Sequence, residues 1–394
     1  MYKKIPLLII ISSLLLTGCW NAKDVEKMFY LQSLGVDYKD GKYHVYAQIL
    51  NFAPIAKQEN VGGEQTKSPI YVGKGVGDTY AEANHDLFRS SQRRIYWGHL
   101  RTVVFTERML EHGVKDILDL LNRYNETRYT AWIFATTEPL DKLFTVKSML
   151  ELSSAYSKLG DPLSIYSQYS YLRPMRLHRF IAMTNEKSAS AIIPGLTLSK
   201  KGWEQENQKE IHPIEFSGVY LLRQLKVAGK LSYEDSIGFR WLTRSMIRGI
   251  LKVEQHGNVY GVAILESPDI SIQPMKKNNE WVFNITIKMK ANIIELKTNA
   301  SKKKLEKALE KQVKEQIMHT YLKGLEQDED VYQFSRKLQI KHFKEWKKIQ
   351  EGGKIPLTKE SIHSLQVSIF INSGGKDKLM IEDGVRQLPN KLPY

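Results

Sequence analysis

The chain runs to 394 residues, 42% of them hydrophobic and 26% charged, with 58 Lys and Arg against 43 Asp and Glu for a net charge of +15. That length suggests two or three domains, each able to bury an ordinary apolar core. The single cysteine excludes an internal disulfide, so packing must hold the fold.

That cysteine stands at the end of a leader. Lys3 and Lys4 supply a positive start and Ile5 to Leu16 an apolar run, and Leu16-Thr17-Gly18-Cys19 closes it with a small residue before the thiol. These are the parts of a secretory signal. As a helix the apolar run reaches roughly 18 Å against about 30 Å of hydrocarbon, so it is too short for a transmembrane anchor. The four residues resemble a bacterial lipobox, which implies cleavage before Cys19 and a diacylglycerol on its sulfur, with or without an N-acyl chain on the new terminus. A plain secretory signal that happens to hold a thiol is the alternative reading. Two acyl chains give durable attachment where one binds only marginally. No later stretch offers the roughly 18 uninterrupted apolar residues of a membrane span, so everything after Cys19 is expected on one side of the membrane.

Loss of residues 1–18 removes only Lys3 and Lys4 from the basic set and leaves a cationic exported body. Anionic lipid headgroups are the first partner such a body meets, each nearby Lys or Arg contributing about 1 kcal/mol. The lysines are spread along the chain, so a solubilising surface accounts for them equally well, and no nucleic-acid partner is expected.

After Asp40-Gly41, Tyr43, Val45, Ala47 and Ile49 recur at every second position, which predicts a hairpin turning at Asp-Gly. Ala53 to Ser68 is polar, holds Gly62-Gly63 and reads as a loop. Gly73-Lys74-Gly75-Val76-Gly77 invites a phosphate-loop reading but lacks the Gly-Lys-Ser/Thr ending, so a glycine-rich turn is expected. Asp78 to Arg94 reads as a helix capped by Asp78, with Ala81, Ala83, Leu87 and Phe88 near helical spacing. Leu100 to Phe105 is a predicted strand with His99 at its start. Gly113 to Tyr124 is a predicted helix with Val114, Ile117, Leu118 and Leu121 on one face, and Ala131 to Ala135 a strand. The alternation is that of an α/β fold. His99 has two readings: a proton acceptor or pH-sensitive contact, or a locally hydrogen-bonded residue. No carboxylate or hydroxyl partner is recognisable beside it, which favours the second.

From Leu140 to Met183 the pattern is mostly helical, interrupted at Gly160-Asp161-Pro162 and at Pro174. Lys200 to Gln208 is polar and marks a boundary or a long loop. Ser217 to Leu222 and Leu225 to Gly229 predict a hairpin, with a helical stretch from Tyr233. Trp281, Phe283, Ile285, Ile287 and Met289 alternate with Val282, Asn284, Thr286, Lys288 and Lys290 as the clearest strand. Ser301 to Lys323 is the clearest helix, with Ser301 placed to cap it and Gly324 to end it. Its stripe of Leu305, Leu309, Val313, Ile317 and Tyr321 is expected to pack on the domain's own sheet. Asp328-Glu329-Asp330 lacks calcium-loop spacing and is expected as a solvated turn or as the cap of the next helix. Leu365, Val367, Ile369 and Ile371 make a last strand that ends at Ser373-Gly374-Gly375, and Lys376 to Tyr394 reads as a frayed tail.

Trp97, Trp132, Trp203, Trp281 and Trp346 sit in apolar patterns and are expected in cores. Trp20 and Phe29-Tyr30 lie near the tether, where a lipid-interface position suits an amphipathic ring. The chain thus divides into a leader over residues 1–18, an N-terminal α/β region over 19–200, a middle domain over 201–275 and a C-terminal α/β domain over 276–394. There is no His-Glu-x-x-His, no Gly-x-Ser-x-Gly and no thiol nucleophile beyond an acylated Cys19. A non-enzyme without catalytic, cofactor-binding or metal-ligating residues is expected.

Several blocks, in order along the chain, resemble one family. Cys19-Trp20-Asn21-Ala22-Lys23-Asp24-Val25-Glu26 and Leu34-Gly35-Val36-Asp37 look like its opening, and Gly73 to Ala83 like its next block. Arg94-Ile95-Tyr96-Trp97-Gly98-His99-Leu100-Arg101 is similar to its most recognisable segment. Gly218-Val219-Tyr220, Gly229-Lys230-Leu231, Asp330-Val331-Tyr332-Gln333-Phe334, Trp346 and Val367 to Gly374 follow in sequence. The family is that of the C-subunit lipoproteins of spore germinant receptors, Ger(x)C, of endospore-forming bacteria. Asn21 stands where the family usually has Asp and Gln333 where it often has Gly; neither change removes a group that attachment needs.

The resemblance implies a mixed α/β (α+β) fold of three consecutive mixed-sheet domains flanked by helices, lipid-anchored at the extracytoplasmic face of the spore inner membrane. It further implies assembly with two integral membrane subunits, A and B, into a receptor that senses a nutrient and triggers germination, with this subunit as scaffold or sensor. A solute-binding lipoprotein of a transporter would share the tether and the α/β composition, and two similar lobes about a hinge would mark it. A cell-envelope hydrolase would need a nucleophile or metal cluster that the sequence does not display.

Overall fold

The computed structural model describes residues 28–50, 70–124, 126–146, 157–204, 211–255, 257–297 and 300–373. Cys19, Trp20, the Ala53–Ser68 loop and the tail from Lys376 lie outside them. At the first predicted turn Asp40 and Gly41 both take positive φ, 53° and 75°. This is the primed-turn geometry that matches strand twist. Strand β1 (Met28–Lys39) therefore folds back as β2 (Lys42–Leu50) with Tyr38 opposite Tyr43.

The glycine-rich segment departs from expectation. It is a strand, β3 (Tyr71–Gly77), paired antiparallel to β2. The reason is the helix that follows, α1 (Tyr80–Ser90), which lies against it. A Cβ at Gly75 would sit 2.1 Å from the Ala83 carbonyl oxygen, and one at Gly77 would sit 2.4 Å from the Ala83 nitrogen. Glycine at alternate positions clears one strand face so that backbone meets backbone. Thr79, not Asp78, caps the helix, in a reciprocal capping box with Glu82.

Next come β4 (Arg94–Tyr96), β5 (Thr102–Thr106), α2 (Glu107–His112), α3 (Lys115–Arg123) and β6 (Trp132–Thr136). They are followed by α4 (Leu140–Phe144), α5 (Pro162–Gln168), β7 (Met175–Arg176), α6 (Leu177–Asn185), β8 (Ala191–Leu198), β9 (Ile214–Arg223) and β10 (Lys226–Ser232). The ten strands form one sheet in the order β10-β9-β8-β6-β5-β1-β2-β3, with β4 beside β1 and β7 beside β6. Its centre, β1, β5, β6 and β8, is parallel, and antiparallel strands extend both sides. Val114, Ile117, Leu118 and Leu121 are buried in the core on one face, as their spacing predicts. Leu140, Leu143 and Phe144 fill the other face.

At the far end of β1 the Asp37 side chain is 8% exposed and accepts from Thr106 Oγ1 at 2.5 Å and from Arg108 Nε at 3.1 Å. Burial alone would raise this carboxyl, but the bonds from Arg108 and Thr106 outweigh it and hold the pKa below its ordinary value. A depressed folded-state pKa stabilises above the unfolded value, about 3.9, and the gain is lost as pH falls through the folded value. Asp37→Asn is therefore expected to cost about 1–2 kcal/mol at pH 7. Urea titrations of variant and parent should converge in acid, and a deficit that stays constant down to acid pH would contradict the assignment.

The second sheet holds β11 (Gly249–Gln255), β12 (Asn258–Lys277), β13 (Glu280–Leu296) and β14 (Ile362–Ser373) in that order. Residues 201–275 thus give β9 and β10 to the first sheet and β11 with most of β12 to the second. The helical stretch expected from Tyr233 is only a short 3-10 segment, Ile237–Leu242. The Gly238 N–H is spent on Thr320 Oγ1 at 2.9 Å rather than on a helical carbonyl. Along β13 the residues Phe283, Ile285, Ile287, Met289, Ala291 and Ile293 are buried, as strict alternation requires.

Helix α7 (Lys302–Leu325) lies over this sheet, with Leu305, Leu309, Val313, Ile317 and Tyr321 all fully buried in the shared core. Ser301 caps it as expected, but the helix passes Gly324, whose bare Cα receives Val331 of the returning chain. The turn comes later, at Asp328 with φ 55°. After α8 (Phe334–Lys341) and α9 (Phe343–Ile349) the chain enters β14 parallel to β13. The outer edge of β14 is closed from α7: Ile369 N–H donates to Glu310 and Ile371 N–H to Glu306, at 3.1 and 3.0 Å. Carboxylates one helical turn apart thereby satisfy an edge that would otherwise be open to strand pairing.

Two aromatic expectations change. Trp97, Trp132 and Trp346 are buried, but Trp203 is 61% exposed, on a segment outside the named strands that pairs with Ile211 at an isolated bridge. Tyr30, expected at a lipid surface, is 6% exposed because β4 and the turn after it cover the start of β1.

Candidate functional site

Cys19 lies nine positions before Met28, so β1 begins at most roughly 30 Å of extended chain from that cysteine. What receives the start of β1 is the Arg94–Arg101 block. Met28, Phe29 and Tyr30 pair with Arg94, Ile95 and Tyr96 of β4. The chain then makes a 3-10 turn, Trp97–His99, before β5, so His99 ends a turn rather than starting the strand. The Tyr30 ring meets the edges of Tyr96 and His99 at 5.8 and 5.0 Å. Trp97 stacks on Tyr124 at 5.5 Å. Burial, then the charges of Arg128 and Arg101, hold the His99 pKa below its ordinary value, so the imidazole is neutral at physiological pH. Beside this cluster a cleft of about 640 Å³ is walled by Gln92, Arg93, Arg94, Trp97, Tyr124 and Glu126. Arg94 is paired with Glu126 there at 2.5 Å.

The second feature is a polar seam joining the two sheets. Glu329, fully buried, receives Arg223 from β9 and Ser190 Oγ, the latter at 3.0 Å. Gln333, held at φ 59°, donates to the Ser190 carbonyl at 2.7 Å. Gln327 bonds the backbone of Lys230 twice, at 2.6 and 2.7 Å. Arg336 of α8 pairs with Glu186 at the end of α6, and Ser188 donates to Gln339. Asp330, also buried, accepts from the Phe334 and Ser335 N–H groups at 2.9 and 2.6 Å and so caps α8. Burial pushes its carboxyl up, against those two bonds.

The acidic triplet is thus a buried connector. Of the expected solvated turn only Asp328 is exposed, paired with Lys354. The capping alternative holds for Asp330. Nothing in the local sequence marks Arg223, Ser190 or Glu186 as partners of this segment, because they come from the other sheet.

A third contact crosses the same junction. The Tyr171 ring stacks on Tyr233 at 4.2 Å, and buried Arg240 lies over the Trp241 ring at 4.3 Å while sharing Gln316 with the indole N–H. Among the described residues no group of three His, Cys, Asp or Glu could hold a metal ion, and no helix is long and apolar enough to cross a membrane.

Comparison with known proteins adds the family. Residues 21–198 match the spore germination protein N-terminal domain, and residues 217–375 match the spore germination B3/GerAC-like C-terminal domain. The chain is 22% identical to spore germination protein KC of Bacillus subtilis (strain 168), over 88% of this chain and 89% of that protein. It is 25% identical to spore germination protein GerQC of Bacillus cereus, over 86% and 91%. Among solved structures, the crystal structure of the GerBC protein aligns with a TM-score of 0.48 and 18% identity, over 86% of this chain and 96% of that one. With both domain models matched in order, the chain belongs to the Ger(x)C family of spore germination proteins.

Proposed function

We propose that this chain is the lipid-anchored, non-catalytic subunit of a nutrient germinant receptor. Diacylglycerol on Cys19 holds it at the extracytoplasmic face of the spore inner membrane, where it acts as a scaffold or sensing subunit beside the integral A and B subunits. The observation that carries the reading is the match to both halves of the spore germination family behind a lipobox-like leader. The fold supports it in two ways: β1 starts within a short reach of Cys19, and a buried polar seam makes the two sheets one load path from that start. A solute-binding lipoprotein would call for two similar lobes, whereas among the described residues the two sheets have ten strands and four.

The test is Cys19→Ala in the native host. After a high-salt wash, which strips charge-held contacts, the variant is expected to leave the membrane fraction, and the germination response to fall by roughly an order of magnitude, since acyl burial at about 0.8 kcal/mol per methylene is the main attachment. Undiminished membrane retention sinks the tether. Co-purification of the acylated chain from detergent-solubilised membranes, with partners identified by mass, tests the receptor assembly. Recovery of transporter subunits alone favours the solute-binding reading.

A further inference from the structure

The corner between α8 and α9 combines exposed apolar side chains with a run of cations. Ile340 and Phe343 project there at 65% and 54% exposure, while Leu338 and Trp346 of the same helices are buried. Arg336, Lys337, Lys341, Lys344, Lys347 and Lys348 surround the two apolar side chains along the chain. Facing groups on neighbouring elements are Arg244, which donates to the Ile270 carbonyl at 2.8 Å, and Gln273, which accepts from Lys341. Two carboxylates answer this charge: Glu186 takes Arg336, and Glu345 takes Lys348 at 2.9 Å and Lys276 at 3.8 Å. Among the described residues no carboxylate pairs with Lys337, Lys341, Lys344 or Lys347.

Position adds a second argument. Strands β1, β5, β6 and β8 run parallel, so Met28 and the residues just before β8 lie at one end of the large sheet. Ser188 and Glu186 hold Gln339 and Arg336 at that end. The corner therefore belongs to the end of the molecule from which the chain leads back to Cys19. Like-charge crowding is visible in Lys337, whose pKa is lowered by burial and then by Arg244, Arg336 and Lys341, and in Arg179, lowered by burial and then by Arg173 and Arg336. Such crowding is relieved when an anion is brought to it.

We propose that the α8–α9 corner is a second membrane contact, with Ile340 and Phe343 entering the bilayer interface and the surrounding lysines and arginines meeting the phosphates of anionic phospholipids. Bulky apolar side chains set singly among Lys and Arg suit a bilayer surface. The core of a protein interface is instead depleted of lysine. The inference takes its orientation from the proposed Cys19 tether but not its binding chemistry.

The experiment uses the full mature chain with Cys19→Ser, which carries no lipid, in sedimentation with vesicles of phosphatidylcholine alone or mixed with phosphatidylglycerol. Partition onto the mixed vesicles should be roughly tenfold stronger than onto the neutral ones and should weaken with salt. The pair Ile340→Ser and Phe343→Ser should lower it severalfold, and Lys337→Gln with Lys344→Glu should abolish the preference for anionic lipid. Ile340, Phe343 and Lys344 are exposed and Lys337 is half-buried, and circular dichroism checks that the variants fold. Equal binding to both vesicle types, or binding that none of the variants changes, overturns the proposal. So does variant-sensitive capture of an acidic protein by a chain that ignores vesicles. Because the protein tested is unacylated, failure of the corner leaves the tether standing, and binding by the corner survives a failure of the tether.

Discussion

Gly75→Val is expected to lower stability by at least about 3 kcal/mol, the upper end of the usual cost of overpacking. A Cβ at this position would stand 2.1 Å from the Ala83 carbonyl oxygen and 2.6 Å from the Leu87 nitrogen. Both obstacles are backbone atoms of α1, so no rotamer change relieves them. The helix must lift off β3, exposing Ala83 and Leu87, now 0% and 3% exposed. The neighbouring Lys74, on the opposite side of the strand over the Tyr46 ring at 5.5 Å, provides the control. Lys74→Ala should change stability by no more than about 1 kcal/mol. Urea unfolding followed by far-UV circular dichroism measures both. A Gly75→Val midpoint equal to that of the parent would show that α1 does not rest on this strand.

The same glycines show where sequence reading reaches and where it stops. Elements whose signal is carried by their own residues were legible. Asp40-Gly41 specifies its turn by backbone preference, β13 its faces by alternation, and α7 its buried side by an i,i+4 stripe. Glycine at 73, 75 and 77 signals only permissiveness, which turns and close packing share, and the helix that decides between them is a separate element. Acidic side chains carry the same ambiguity. Asp328, Glu329 and Asp330 read alike, yet one is exposed and two are buried, because Arg223 and Ser190 arrive from the other sheet. Glu306 and Glu310 likewise look like a solvated helix face and instead close a strand edge.

At the candidate site the division is similar. Cys19 with its lipobox-like leader and the Arg94–Arg101 block are visible in sequence as marks of kinship. That the block receives the start of β1, and that a seam of side chains joins the two sheets, follows only from contacts between distant segments. A lipid tether can influence the rest of the molecule only through such contacts. The start of β1 is joined to the sheet centre through β4 and β5, and the seam joins the start of β8 to the segment between α7 and α8.

The seam's strength rests on its buried pair. Arg223→Ala is expected to cost about 3–5 kcal/mol, because it strands a carboxylate that has no access to water. The Glu329 side chain is 0% exposed and that of Arg223 30%. Ser190 Oγ remains as a donor at 3.0 Å but carries no charge. The converse change should be milder: after Glu329→Ala the guanidinium can rehydrate through its exposed side and keep its contact with the Asp328 carbonyl at 3.4 Å. The double variant Arg223→Met with Glu329→Leu should be more stable than Arg223→Ala alone, since replacing both members of a buried pair with apolar groups removes the desolvation penalty together with the attraction. Denaturant melts of Arg223→Ala, Glu329→Ala and the two alanine changes combined give the coupling free energy. Hydrogen exchange at the β8–β9 end and in α8 should accelerate in Arg223→Ala and recover in Arg223→Met with Glu329→Leu. If the losses simply add, Arg223 and Glu329 do not act as a pair, and the junction between the sheets is held by the tyrosine and tryptophan contacts around Arg240 instead.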